Sequence, residues 1–379
     1  MKQWISLALV AGVIGGGVWA GKRVESRALP TLQWQESSSP RGVFHVHSEA
    51  SHDSEVSVAT IAQTAAALGL SFVILTDHNN QQAPVEVDGV TLLSFAELST
   101  KNGHVIQFGL PTLLDREQKN SFDIGPMLHK QNASTILAHP TDLKRPWVGR
   151  WRDHGGLEIA SLSASARRRG GPTYLGLLPG ILAWPINRQL ALTQLYDRDH
   201  KALRRWDETS NPGQVGLCGV DAHGRVDLFS NLQLWQLHLE DPLPVDFEKR
   251  SVALQDAIRQ GRFFCAAALF GDSPEFVFEA INDQETIASA GDSLQATEVS
   301  ELLVRAPTVQ FPEADQRVSI VLFRNGDEVI RHHGKELRYK APRPGLYRAE
   351  IRMPIPNLLF GYRTIPLIYS NRIKLEASE

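Results

Sequence analysis

The stretch FHVHSEASHDS, residues 44–54, places His45, His47 and His52 beside Glu49 and Asp53, in a chain with 13 histidines among 379 residues. It closes a short run, GVFHVHS, that reads as a β-strand. Alternate side chains of an extended strand point to one face. His45 and His47 are therefore expected to project together, with Val46 opposite. Two imidazoles on one face suit a divalent transition metal, for which neutral imidazole is a common nitrogen ligand.

Outward from this strand, the pattern alternates. VSVATIAQTAAALGL (residues 56–70) has helical spacing and Gly69 as its stop. SFVILTDHNN opens on a continuous apolar run, the mark of a strand buried on both faces. GVTLLSFAEL and HVIQFGL read as further strands, SFDIGPMLHKQNA as a helix, STILAHP and GGLEIAS as strands. The segment TYLGLLPGILAWPINRQLALTQLYDRDHKALRRWDE reads as one or two helices broken near Pro179 and Pro185, packed rather than membrane-spanning. QVGLCGVDAHG returns to a strand, and SVALQDAIRQGRFFCAA gives a helix and a strand. Alternating strands and helices predict a parallel sheet or barrel. Beyond about Ala266 come short alternating runs punctuated by Gly, Pro and Asn-Gly, which predict an antiparallel sandwich, with RNGDEV as a hairpin turn.

The strand ends of the first region carry metal-ligand residue types again and again. The first ends at His45 and His47, with Asp53 just after; the second at Asp77 and His78; the third at Glu97. His104 opens HVIQFGL. The next strand ends at His139, and the last at Asp221 and His223. In α/β folds the carboxyl ends of parallel strands gather on one face, where sites are built. The repetition predicts one metal cluster rather than scattered structural histidines. Imidazoles and carboxylates without thiolates suit Zn, Mn or Fe.

The ordered set HVHSEASHD, TDHN, AEL, GHVIQFG, AHP and VDAH resembles the motifs of the PHP (polymerase and histidinol phosphatase) superfamily, over roughly residues 42–265. The resemblance implies a distorted (β/α)7 TIM-like barrel with two or three divalent metal ions at its C-terminal face. It implies His45, His47, Glu97 and Asp221 as ligands of one ion. Glu97 would bridge to a second held by His104 and His139, and Asp53, His78 and His223 would hold a third. His52 and Asp53 are both potential ligands; the family's spacing favours Asp53 and leaves His52 at the rim. The IYSNRI ending also resembles exported metallohydrolases of this superfamily, a group that includes relatives of the carbaryl hydrolases.

The length accommodates two or three domains at about 100–200 residues each. The expected division is a signal peptide or membrane anchor at 1–22, a Ser- and Pro-rich linker at 23–41, the barrel at 42–265 and a β-sandwich at 266–379. Residues 4–20 are apolar, with Lys2 before them and Lys22, Arg23 and Arg27 after. The small residues Val18 and Ala20 fit a cleavage site and the basic residues fit an uncleaved anchor. Either places the body outside the cytoplasm, and an anchor would bring membrane contact. The net charge of −3 gives no electrostatic reason to expect a nucleic-acid partner. Two cysteines, Cys218 and Cys265, exclude a disulfide scaffold and a CxxC zinc ribbon. Both lie in apolar strings and read as buried thiols, with one bridge between them open on export.

The chemistry expected is hydrolysis. Paired ions lower the pKa of a bridging water from about 15.7 toward about 7, and the hydroxide attacks a phosphorus or carbonyl centre. Glu97, Asp221 and His223 are the expected catalytic residues, and Asp77 an orienting one. The loop HPTDLKRPWVGRW offers Lys144, Arg145 and Arg150 for a phosphate and Trp147 and Trp151 for an aromatic group; Arg225 is near the same face by position. A small phosphoester is the leading substrate class. An amide, ester or carbamate is the second, and a binding protein with structural metals the third. Closed structural sites need about four ligands, fewer than the nine candidates here.

Overall fold

The computed structural model describes residues 17–33, 39–110, 112–121, 124–129, 133–171, 173–209, 211, 213–224, 227–273 and 275–378. Seven strands form its centre: β1 (Arg41–Val46), β2 (Phe72–His78), β3 (Val90–Thr100), β4 (Gly103–Phe108), β5 (Ser134–Ala138), β6 (Gly156–Ser161) and β7 (Val215–Ala222). They hydrogen-bond in chain order, and β7 pairs back with β1, so the sheet closes into a barrel in a mixed α/β fold. Closure explains the near-continuous apolar strands. Phe72, Val73, Ile74 and Leu75 alternate between barrel interior and outer layer, and all four are buried.

The chain departs from strict strand–helix alternation between residues 72 and 108. β2 leads to β3 through a short strand, Val85–Val87, and β3 turns directly into β4 as a hairpin. β4 therefore runs antiparallel to both neighbours while the other six are parallel. Two residues, Lys101 and Asn102, connect β3 to β4, too few for a crossover helix. Elsewhere helices follow the strands, except that β5 leads to β6 through the helix-free residues 139–155. α1 (Val58–Ala67) starts where the Ser57 hydroxyl accepts from Thr60 N–H at 3.2 Å. It ends before Gly69, whose φ of 67° lies in the left-handed region. α2 (Leu162–Gly170) follows β6.

Residues 175–193 differ from the packed helix expected of them. Pro179 sits in the first turn of α3 (Leu178–Ala183) and starts a helix rather than breaking one. One side of this segment packs through Ala183, Leu190 and Ala191, while Leu175, Ile181 and Leu182 face outward.

Hydrogen bonding continues from the barrel into the C-terminal region without a break. β8 (Gln236–Leu239) pairs antiparallel with β1, then with β9 (Phe263–Ala266), which pairs with the strand Tyr362–Ser370. Ser319–Arg324 and Asp327–His333 form a hairpin turned by Asn325 and Gly326, both at positive φ. A separate four-stranded antiparallel sheet combines Glu285–Ser289, Val277–Asn282, Glu301–Arg305 and Glu336–Lys340. Asn371, in the IYSNRI ending, ties this region to the barrel. Its Oδ1 accepts from Gly216 N–H at 2.8 Å, and its amide donates to the carbonyls of Gly216 and Phe263.

Candidate metal centre

Glu97 is the hub. It lies in β3, fully buried, with His78 of β2 as its direct strand partner. Its Oε1 is 2.6 Å from His104 Nδ1 and 3.0 Å from His139 Nε2. Its Oε2 is 3.2 Å from His45 Nε2, 3.3 Å from His47 Nε2 and 3.5 Å from His78 Nδ1. Asp221 faces it across the site, with Oδ1 3.4 Å from the Nε2 atoms of both His45 and His47. Asp53 and His223 complete the cluster at 2.9 Å, and His78 Nε2 lies 3.6 Å from Asp53.

The topology explains how distant residues meet here. β1, β2, β3, β5 and β7 bring their carboxyl ends to one face. β4 runs the other way, so its first residues, including His104, reach that same face. The two rings of the His-x-His pair converge, but not through the alternation of a regular strand. His45 has φ 72° and is skipped in the pairing of β1 with both β2 and β7. His139 (φ 29°) and Asp221 (φ 48°) also have positive φ. Such backbone costs of order 1–3 kcal/mol per residue and clusters where function demands it.

Two residues that the strand-end pattern does not include hold the ligands in place. Glu158, in the middle of β6, is buried. Its Oε1 is 2.5 Å from His45 Nδ1, and its Oε2 accepts from His139 N–H at 2.6 Å. A carboxylate behind a ligating imidazole fixes its tautomer and orientation. Gly219 makes room for it: a Cβ there would lie 1.9 Å from Glu158 Oε1. The signal in the sequence is the single acid inside the apolar run GLEIAS. Ser51 is the second; its hydroxyl donates to Asp53 at 2.8 Å, accepts from His78 N–H at 3.2 Å, and lies 3.3 Å from His47 Nδ1. Asp77 clamps the loop after β1, accepting from Ser48 N–H at 2.6 Å and Ser48 Oγ at 2.7 Å.

The electrostatics are those of a cation site. Burial opposes ionisation of Glu97 and Asp221, but the surrounding imidazoles outweigh it and hold both carboxyls well below their usual range. Burial equally opposes protonation of His45, yet Glu158, Asp221 and Glu97 hold it well above its usual value. His47 rises to about 9 against burial, through Asp221 and Glu97. His78 falls to about 4, burial being the main cause. His47 Nε2, His78 Nδ1 and His139 Nδ1 are buried without a hydrogen-bond partner. Lone pairs converging from imidazole and carboxylate, some with no proton donor to meet them, fit divalent cations.

Three groups of ligand atoms lie close enough to hold an ion: His45, His47, Glu97 and Asp221; His78, Glu97 and His104; and His47, Asp53, His78 and His223. Glu97 is shared by the first two. The second differs from the expected set in having His78 in the position expected of His139, although His139 also touches Glu97. These groups are compatible with a multinuclear divalent metal site.

The cleft above the cluster has a volume of about 630 Å3 and is lined also by His52, Ser99, Lys144, Arg145 and Arg167. His52 stands at its rim, its ring tilted against that of His78 with centroids 5.0 Å apart. Arg145 Nη1 is 2.9 Å from His104 Nε2. Arg167, absent from the strand-end pattern, reaches in from α2 and pairs with the buried Asp142. Arg150 does not line this cleft. It lies in a separate depression with Trp147, Trp151 and Arg205, because Trp147 packs inward and turns the loop away. Arg225 lies outside the described residues.

Residues 44–139 match the PHP domain. The matched stretch runs from β1 to the end of β5 and carries seven of the nine expected ligands, His45, His47, Asp53, His78, Glu97, His104 and His139. Asp221 and His223 lie beyond it and join the cluster because β7 closes the barrel against β1. PHP domains are mostly metal-dependent hydrolases, the class this site's ligands suit. Among curated proteins, none matches the chain.

Proposed function

We propose that this chain hydrolyses small phosphoesters with two or three divalent metal ions. One observation carries the choice of substrate: Lys144, Arg145 and Arg167 line the cleft directly over the ligand groups. Guanidinium and ammonium groups complement the oxygens of a phosphoryl group, and arginine does so bidentately. A neutral amide, ester or carbamate has no such charge to meet them.

His45, His47, Glu97 and Asp221 would hold one ion; Glu97 and His104, with His78 or His139, a second; and Asp53, His78 and His223 a third. When bound, the ions supply hydroxide near neutral pH and offset charge developing on the attacked group. The chain's own residues do the rest. Glu97 places negative charge between the first two groups, where neighbouring cations would otherwise repel. Glu158 fixes the ring of His45. Arg145 and Arg167 orient the phosphoryl oxygens and balance their charge. Asp221, at the cleft wall, would use a carboxylate oxygen not engaged by an ion to exchange a proton with the nucleophile or leaving group. His223, with its ring nitrogens toward Asp53 and the Asp221 carbonyl, would hold and orient the site.

The test is a substrate panel run with elemental analysis. Phosphate released from an aryl phosphate, with metal above one equivalent per chain, is the expected result. Phenol released from an aryl ester or carbamate, without phosphatase activity, would replace this reading with the second substrate class, toward which the resemblance of the IYSNRI ending would point. An Arg145→Ala variant should raise KM for the phosphoester about tenfold or more while retaining metal.

A further inference from the structure

A second feature of the molecule lies outside the cleft. Residues 17–25 form a helix that packs Val24 against Ala183, Leu190 and Ala191, a small core separate from that of the barrel. Arg23 and Arg27 donate to the Leu359 carbonyl, and Asn187 to the carbonyls of Val24 and Arg27. Three segments distant in sequence are thus held side by side. Their outer surface is apolar. Leu175, Ile181 and Leu182 are each more than 60% exposed, as is Phe360. Trp19 packs against Phe360 in a tilted pair, with ring centroids 5.6 Å apart, and Gly21 lies beside Ile186. Single exposed apolar side chains need no explanation, but a contiguous group across three segments does.

We infer that this face seats on the surface of a lipid bilayer. Two observations choose that occupant. First, the chain enters the described structure at this face, and the residues before it, WISLALVAGVIGG (4–16), contain no charge. The sequence ahead of the first described helix is apolar, and that helix starts at the edge of the apolar face, where Trp19 meets Phe360. Second, the rim is mainly basic: Lys22 and Arg23 on the first helix, Arg188 stacked on Trp184, and Arg169 donating to Gln194. Among the described residues Glu25, Asp227 and Glu313 are acidic groups at this rim; Asp227 is paired with Arg188, and Glu313 accepts from the Tyr362 hydroxyl, whose ring lies under Arg27. Basic groups around exposed aliphatic and aromatic side chains are the pattern of an interfacial surface facing anionic headgroups. A second copy of the chain, docked face to face by a two-fold axis, would set that basic rim against itself. α2 links the two sites, since it carries Arg167 to the cleft and Arg169 to the edge of the apolar face. The seated protein would hold its cleft close to the membrane.

The test uses the full chain reconstituted into vesicles of phosphatidylcholine and phosphatidylglycerol. Cys218 and Cys265 are buried, so a bimane label can be placed at Leu182→Cys, at Ile181→Cys as a second position, and at Val245→Cys as a water-facing reference. Lipid carrying a doxyl group near the headgroup should quench bimane at 181 and 182 at least twofold more than at 245. Replacing phosphatidylglycerol by phosphatidylcholine should reduce the difference. Equal quenching at all three positions would overturn the inference, even if the chain floats with the vesicles through its first residues. Shielding of 181 and 182 that is the same without lipid, and that rises with protein concentration, would overturn it in favour of self-association. None of these outcomes depends on the hydrolase reading.

Discussion

Glu97 touches five imidazoles, and no other carboxylate among the described residues is placed to bridge two of the ligand groups. Glu97→Gln keeps the shape and removes the charge. The purified variant should lose bound metal and turnover together; full metal content by elemental analysis would sink the assignment. Glu158 acts one step removed, through His45 and the backbone of His139. Glu158→Gln should lower metal affinity by about 10–100-fold while leaving a site that fills at high metal concentration. A metal titration separates the two variants, because only the second should be rescued by excess ion. Asp53 and His52, adjacent in sequence, are separated by the fold: Asp53 turns in to His223, and His52 stays at the rim.

At the scale of the element, the strand ends store strain for the site. His45, His139 and Asp221 hold positive φ at the ends of β1, β5 and β7, and bound cations would offset that cost along with the crowding of ionisable groups. Chelation should therefore lower the melting temperature and re-addition restore it. A ligand at 100 times its Kd contributes about 2.7 kcal/mol. A calorimetric scan that is unchanged by chelator would show that the ligands are held by packing alone. Gly219 in β7 makes a sharper case. Gly219→Ala drives a methyl into Glu158, and should cost a few kcal/mol of stability, as overpacking does, together with metal affinity.

At the scale of the molecule, a buried charge network joins the C-terminal region to the barrel's helices. Glu350 is fully buried and accepts from Arg198, Arg348 and Arg352, while Arg348 also donates twice to Asp207. Burial would raise the Glu350 pKa, but Arg348 and Arg198 hold it down at about 2. Its folded pKa is thus below its unfolded value, near 4.5. The stability it contributes is complete above about pH 4.5 and fades as the pH falls toward 2. Wild type should lose more stability to urea between about pH 5 and about pH 3 than Glu350→Gln does; parallel losses would sink this account. Removing one partner, as in Arg348→Met, leaves uncompensated buried charge and should cost about 3–5 kcal/mol.

The residue types of the metal centre and their placement near strand ends were legible from the chain alone. Local patterns carry that information: apolar runs mark buried strands, and His, Asp and Glu interrupt them where the strands emerge. The His-x-His pair, Glu97 and the VDAH segment all announce themselves this way. The reversal of β4 was also signalled, by Asn102-Gly103 in its connection to β3, although the apolar pattern of HVIQFGL alone does not show it. Two things needed the tertiary structure. The roles of Glu158 and Arg167 arise from proximity across strands, which no spacing along the chain reveals. The apolar face is formed by residues 17–25, 175–186 and 357–361 meeting in space, and its exposure could not be read from the hydrophobicity of any one of them. Short-range chemistry is written in sequence order; contacts between segments more than a hundred residues apart exist only once the barrel has closed.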